Sequence, residues 1–100
     1  MKAIWNNTVI AETSKDKLIH IEGNWYFPSN TINKEYFQPS DKHTNCHWKG
    51  QASYYNIDIN GNVSQDGAWY YPQPMDGSIE KVGKDFTDYV AFGGDVEIEE

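Results

Sequence analysis

The sequence contains no arginine, a single leucine (Leu18) and a single cysteine (Cys46) among its 100 residues. The absence of arginine excludes the guanidinium fork that usually grips carboxylates and phosphates, and leaves lysine as the only permanent side-chain cation. One cysteine excludes an internal disulfide, as is common in a reducing compartment. No apolar run reaches the length of a signal peptide or a membrane span, so we expect a soluble, cytoplasmic protein.

The charge balance is acidic, with 15 aspartates and glutamates against eight lysines and a formal net charge of −7. Such a chain is repelled by the phosphate backbone of nucleic acids and by anionic membrane surfaces. We therefore expect neither a nucleic-acid partner nor a membrane partner.

The apolar residues that are present favour strands. Nine isoleucines, five valines and 15 aromatic residues supply most of the apolar bulk, and branched and ring side chains fit a pleated, half-buried surface. One hundred residues are typical of one domain with a radius of gyration of roughly 13 Å. The sequence thus predicts a single all-β domain, residues 1–100, with one short helix.

Turn residues divide the chain into about seven short strands. The two best hairpin signals are Asn6-Asn7 and Asn60-Gly61, because both pairs tolerate positive φ angles. The second leaves two registers open: a two-residue loop pairs Ile59 with Asn62, and a three-residue loop pairs Ile57 with Val63. Such closely spaced turns indicate a small antiparallel sandwich or barrel-like sheet. The predicted strands are residues 3–5, 8–11, 17–22, 25–27, 50–59, 68–71 and 89–92.

The only helix candidate covers residues 30–37, where Asn30 is a suitable cap and Ile32 and Tyr36 fall at helical spacing. Pro39 would end it. We expect residues 39–47 and about 72–85 to be loops.

The densest group of chemically active residues lies between positions 39 and 55. It contains Cys46 and Lys49, which we predict as catalytic, because a nearby cation favours the reactive thiolate form. Asp41 and His43 are predicted to support them. Trp48, Tyr54 and Trp69 are the predicted aromatic contacts for a small ligand such as a sugar or heterocycle. The alternative is a buried, inert cysteine that packs beside Trp48.

Two further features of this segment have simpler interpretations. His43, Cys46 and His47 are spaced like half of a metal site, but zinc requires three or four protein ligands. We therefore predict no metal and no cofactor. Lys49 is expected to pair with an acidic residue, either Asp41 or Asp66.

A larger motif resembles a known family. The sequence Cys-x-Trp-Lys-Gly-x-Ala-x-Tyr-Tyr at positions 46–55 is similar to the bacterial family called domain of unknown function 427. Supporting matches are Ser40-Asp41, Thr44, the opening Ala-Ile-Trp-Asn-Asn-Thr-Val-Ile-Ala at 3–11, Ala-Trp-Tyr-Tyr-Pro at 68–72 and Tyr-Val-Ala-Phe at 89–92.

The resemblance implies a compact, mainly β fold of the open-sheet, tent-like kind with one short helix. It implies no assigned activity. The family usually has proline directly after the cysteine, whereas this chain has His47, which adds a potential base or ligand. The family also carries the label nucleotidyltransferase-like, but this sequence lacks the Asp-x-Asp pair of such enzymes.

Two functions remain open from the sequence. The first is a domain that binds or acts on a small molecule at a polar-aromatic site around Cys46, Trp48 and Lys49. The second is a noncatalytic protein-interaction module, or a homo-oligomer, in which the same residues only brace a loop.

Overall fold

Nine strands form three antiparallel sheets in the computed structural model, which describes residues 1–100. The elements are β1 (Lys2–Trp5), β2 (Thr8–Glu12), β3 (Ile19–Ile21), β4 (Asn24–Tyr26), β5 (Phe37–Cys46), β6 (Gly50–Ile59), β7 (Asn62–Tyr70), α1 (Ser78–Val82), β8 (Val90–Phe92) and β9 (Glu97–Glu99). Residues 15–17, 29–31 and 34–36 are 3-10 turns. The sheet orders are β2-β1-β9, β3-β4 and β5-β6-β7-β8.

The expected all-β class is confirmed: the chain is a mainly β, compact domain with one short α-helix and a Cα radius of gyration of 12.9 Å. The longest helix has five residues, and no helix of the chain could cross a membrane.

Both predicted hairpins form. Asn6 and Asn7 have φ angles of 51° and 59°, and Asn60 and Gly61 have φ angles of 52° and 86°. Two consecutive left-handed residues match the right-handed twist of the flanking strands. Ile59 pairs with Asn62, so the two-residue loop is the correct register.

The four-stranded sheet is covered on both faces. Side chains on a strand alternate between the two faces, and the row Tyr54–Trp69–Ala91 belongs to one apolar cluster, which also contains Tyr26, Tyr71 and Phe86 on the same side. The neighbouring rows belong to a larger cluster on the opposite face, which includes Phe37, Ile57, Ala68, Val90 and Phe92. The sheet therefore separates two cores.

The predicted helix over residues 30–37 is wrong. Two 3-10 turns, Ser29–Thr31 and Lys34–Tyr36, lie there, and neither has a side-chain cap. Ile32 instead forms a β-bridge with Ala11 and is buried. The single α-helix is α1, in the segment that we expected to be a loop, between Gly77 and Gly83, which both have left-handed φ angles.

The expected polar loop over residues 39–47 is also wrong for most of its length, because β5 continues to Cys46. Tertiary pairing with β6 overrides the weak strand propensity of this segment. Pro39 is tolerated because β5 lies at the edge of its sheet, and its register with β6 shifts between Pro39 and His43. Seven strands were expected and nine are present; the two additional strands are β5 and β9, which pairs with β1. The return arm of the second hairpin also makes β7 longer than predicted, from Asn62 to Tyr70.

Candidate functional site

The turn between β5 and β6 carries the centre of the predicted site. Cys46 pairs with Gly50, so His47, Trp48 and Lys49 form the connection. Gly50 has a φ angle of 112°, and a Cβ atom there would lie 3.2 Å from both the Gln73 carbonyl and the Met75 nitrogen. The chain therefore needs glycine at this position, and the 72–77 segment packs directly on the turn. The Met75 amide donates to the Lys49 carbonyl at 2.9 Å.

Lys49 is a buried cation with one carboxylate partner. Its Nζ atom pairs with Oε1 of Glu22, which lies at the tip of the β3–β4 hairpin with a φ angle of 51°. The same Nζ lies 5.3 Å from the centre of the Trp48 ring and 5.4 Å from that of Tyr71. The expected partners, Asp41 and Asp66, are therefore wrong: Asp66 accepts a hydrogen bond from Ser40, and Glu22 holds the lysine.

This environment shifts the pKa values of Glu22, Lys49 and Tyr71. The hydrogen bond from Lys49 holds the pKa of Glu22 below its usual value, with Trp48 and His47 acting in the same direction. Burial opposes the charge of Lys49, but Glu22, Tyr26 and Tyr71 outweigh it, so the pKa of Lys49 is raised. Burial and the neighbouring Tyr26 raise the pKa of Tyr71 to about 12. Lys49 and Glu22 are therefore both charged near neutral pH.

A row of half-exposed aromatic side chains continues from this group across the sheet. The indole nitrogen of Trp69 donates to the Tyr26 hydroxyl at 3.2 Å. The Tyr54 ring lies 6.3 Å from the Trp69 ring, and its hydroxyl is 3.0 Å from Oγ1 of Thr44. Tyr54 and Trp69 thus lie on adjacent strands, where they pair directly.

Cys46 lies beside this row. Its side chain is half-buried and packs on the same apolar cluster as Trp48 and Trp69. Tyr26 and Tyr71 belong to the same cluster, and burial raises the pKa of Tyr26.

Five of the seven predicted site residues share one side of the four-stranded sheet: Cys46, Trp48, Lys49, Tyr54 and Trp69. The other two do not join them. His43 is three residues from Cys46 on the same strand, which places the two side chains on opposite faces. Its Nδ1 atom lies 3.2 Å from Oγ of Ser53. Asp41 is exposed on the edge strand and forms no ion pair.

Sequence reasoning missed Glu22, Tyr26 and Tyr71 at this site. The predicted strands 17–22 and 25–27 left residues 23–24 for the turn, but Glu22 and Gly23 are the left-handed pair. Nothing in the sequence marked Glu22 for this conformation, because a left-handed φ angle is uncommon for residues other than glycine. Tyr26 and Tyr71 gave no signal beyond apolar bulk, because only the tertiary fold brings these two residues into the same cluster as the Trp48 turn.

A cleft of about 280 Å³ adjoins the turn. Lys81 of α1 closes one side, and its Nζ lies 4.6 Å from the centre of the Trp48 ring. Trp48 therefore contacts two ammonium groups, from Lys49 and Lys81. The residues that line the cleft are His47, Trp48, Met75, Asp76, Gly77, Ser78 and Lys81.

The metal-like spacing of His43, Cys46 and His47 in the sequence does not bring the three side chains together. His43 and Cys46 point to different faces, and no three side chains of His, Cys, Asp or Glu are grouped so that they could hold a metal ion.

Comparison with known proteins shows the family of the chain. A family model described as a domain of unknown function (DUF427) matches residues 1–99. The match spans both the β1–β2 hairpin and the turn that carries Trp48 and Lys49. No curated protein matches the chain.

Proposed function

We propose, since the chain belongs to the domain of unknown function 427 (DUF427) family, that it is a small-molecule-binding domain. The binding site is the polar-aromatic group around Cys46, Trp48 and Lys49. The family description itself names neither a ligand nor a reaction. The proposal therefore rests on the chemistry of the residues at the site.

The buried Lys49 ammonium is the observation that supports the proposal. Removing a charged amine from water is costly, and even a well-paired buried ion pair adds little net stability compared with apolar residues of the same size. A small domain has no need of such a group for folding alone. Here the amine fixes two elements that do not pair in a sheet, because it holds Glu22 on one hairpin and Trp48 on another turn.

Trp48 is the residue that we propose contacts the ligand. Its ring is half-exposed, borders the cleft, and is held from one side by Lys49. A flat aromatic surface with a fixed orientation suits stacking against a sugar or a heterocycle. The exposed ammonium of Lys81 and the imidazole of His47, both on the cleft lining, can donate hydrogen bonds to polar substituents of that ligand.

Cys46 and Lys49 have different roles in this proposal. Lys49 is a positioning residue, because its amine is enclosed by Glu22, Trp48 and Tyr71. Cys46 retains partial exposure beside the same cluster and is the side chain available for covalent chemistry, if the domain is an enzyme. Tyr54 and Trp69 extend the aromatic surface away from the cleft.

The test is a ligand screen that uses the four indole N–H resonances of the ¹⁵N-labelled protein. Sugars and nitrogen heterocycles are added at millimolar concentration, and a site ligand is expected to shift the Trp48 indole resonance. Trp48→Ala should abolish binding of the same compound. The matched control is Trp25→Ala, because Trp25 packs against His20 with ring centres 4.4 Å apart and is not on the cleft lining. Compounds that shift only Trp25, or bind Trp48→Ala equally well, would contradict the proposal.

One observation favours the second candidate, a noncatalytic interaction module or homo-oligomer. Strand β5 lies at the edge of its sheet, and seven of its ten residues are exposed. Uncovered edge strands offer unpaired backbone groups to another strand. On this proposal Asp41 and His43, which lie away from the cleft, belong to the interaction surface. Measurement of the molecular mass in solution tests it, since a strictly monomeric protein at high concentration would argue against self-association.

A further inference from the structure

A second and larger cleft lies away from Trp48. It has a volume of about 630 Å³, within the range of roughly 300–1,000 Å³ typical of small-molecule sites. Its floor is apolar, because Leu18 and Ile19 are buried and Pro28 and Tyr89 are half-buried. It shares no lining residue with the cleft beside Trp48.

The rim of this cleft carries charges of both signs. Asp16 and Lys17 come from the 3-10 turn before β3, and Lys84 and Asp85 come from the segment after α1. In a chain with nearly twice as many acids as lysines, two lysines and two acids around one cleft form a locally neutral region.

These four charged side chains form no ion pair with one another. The chain forms two ion pairs, Lys15–Glu100 and Lys49–Glu22, and neither includes a residue of this cleft. Asp85 is held in place by Thr87, whose amide and hydroxyl both donate to Oδ1, at 3.0 and 2.6 Å. The second oxygen of Asp85 forms no hydrogen bond within the chain. Neither the Lys17 ammonium nor the Lys84 ammonium has a carboxylate partner.

We infer that this cleft binds a small zwitterion with an apolar group, such as an apolar α-amino acid. The ligand carboxylate meets the Lys17 or Lys84 ammonium, and its ammonium meets Asp85 or Asp16. The apolar side chain lies on Leu18, Ile19 and Tyr89. A ligand with one charge would satisfy only half of this rim, so the arrangement discriminates in favour of molecules with both charges.

The experiment compares three probes that share a phenyl group: L-phenylalanine, phenethylamine and 3-phenylpropionate. Backbone amide shifts of the ¹⁵N-labelled protein are followed during titration. L-phenylalanine is expected to shift the resonances of Leu18, Ile19 and Tyr89, with an affinity at least about tenfold higher than either single-charge probe. Equal affinity for all three, or shifts that are absent from these residues, would overturn the inference.

Two variants assign the charges, and two controls separate this cleft from the rest of the molecule. Lys84→Met and Asp85→Asn should each weaken L-phenylalanine binding severalfold, since both positions are exposed and their replacement preserves the fold. Lys34→Met, at an exposed lysine outside the cleft, should bind as the wild type does. Trp48→Ala should also bind normally, so failure of this inference and failure of the Trp48 proposal are distinguishable. If Lys84→Met and Asp85→Asn bind as tightly as Lys34→Met, the inference is wrong.

Discussion

Lys49 and Glu22 form an ion pair whose two members lie in different environments. The Lys49 side chain is 8% exposed and the Glu22 side chain is 53% exposed. The pair joins the turn after β5 to the tip of the β3–β4 hairpin, which share no sheet. The free energy of unfolding should therefore respond differently to the loss of each partner. Without Lys49, the exposed Glu22 carboxylate can be hydrated, whereas without Glu22 the buried Lys49 ammonium cannot.

Glu22→Gln should destabilise the domain more than Lys49→Met. The first change leaves a charged amine without its counter-charge in a buried place, and we expect a loss of about 1–2 kcal/mol in the free energy of unfolding. The second places an apolar chain of similar length against Trp48 and Tyr71, and we expect a change below about 1 kcal/mol. Urea denaturation measures both.

Glu100→Gln is the matched control for these variants. It removes the charge from the other ion pair, Lys15–Glu100, whose side chains are 58% and 74% exposed, and exposed pairs contribute little. If Glu22→Gln is as mild as Glu100→Gln, the buried lysine is not held by its counter-charge.

The stability of the domain should fall at acid pH in a way that depends on Lys49. The pKa of Glu22 is lowered in the folded state from the reference value of 4.5 by the Lys49 hydrogen bond. A lowered folded pKa gives stability that is present above the unfolded pKa and is lost as pH falls through the folded one. The urea midpoint of the wild type should therefore fall more than that of Lys49→Met between about pH 6 and pH 3. If the urea midpoints of the two proteins fall in parallel as the pH is lowered, the ion pair contributes nothing to the loss of stability in acid.

Gly61→Ala should destabilise the β6–β7 hairpin by about 1 kcal/mol through backbone strain alone. Gly61 has a φ angle of 86°, and a Cβ atom there would meet nothing within 4 Å. Gly94 is equally open but does not have a left-handed φ angle, so Gly94→Ala is the control and should be close to neutral. Equal unfolding free energies for the two variants would be inconsistent with the turn geometry.

Cys46 should react with iodoacetamide in the folded protein, because its side chain is half-exposed. Lys49→Met should change that rate by less than about twofold, since the lysine charge is already neutralised by Glu22. The measurement is the alkylation rate by mass spectrometry at fixed pH. A cysteine that reacts only after unfolding would favour the interaction module, and a rate that collapses in Lys49→Met would restore the direct Cys46–Lys49 interaction that the sequence suggested.

The sequence predicted local features better than long-range ones. Asn6-Asn7 and Asn60-Gly61 specify their hairpins through the φ angles that these residues tolerate, and both are confirmed. The segment 30–37 shows the opposite case. Its helical spacing is real, but Ile32 is used in a β-bridge with Ala11, and no pattern within eight residues can reveal a partner more than 20 positions away.

The candidate site was predictable in part for the same reason. Cys46, Trp48 and Lys49 lie within four consecutive residues, so their proximity in the structure followed from their adjacency in the sequence. Glu22 is 27 residues from Lys49, and only the docking of the β3–β4 hairpin on the sheet brings it there. His43 was misplaced because we treated the segment as a loop, whereas strand pairing imposes a strict alternation that separates it from Cys46.

A native mass spectrum of the freshly purified protein tests the central claim most directly, because it reports a retained ligand and an assembly at once. Wild type, Trp48→Ala and Trp25→Ala are purified identically and compared. The small-molecule account predicts an added mass of a few hundred daltons on the wild type and on Trp25→Ala, at the size of a ligand that a small cleft can hold, and its loss from Trp48→Ala. Bare chains in all three samples, or a dimer without any added mass, would contradict it.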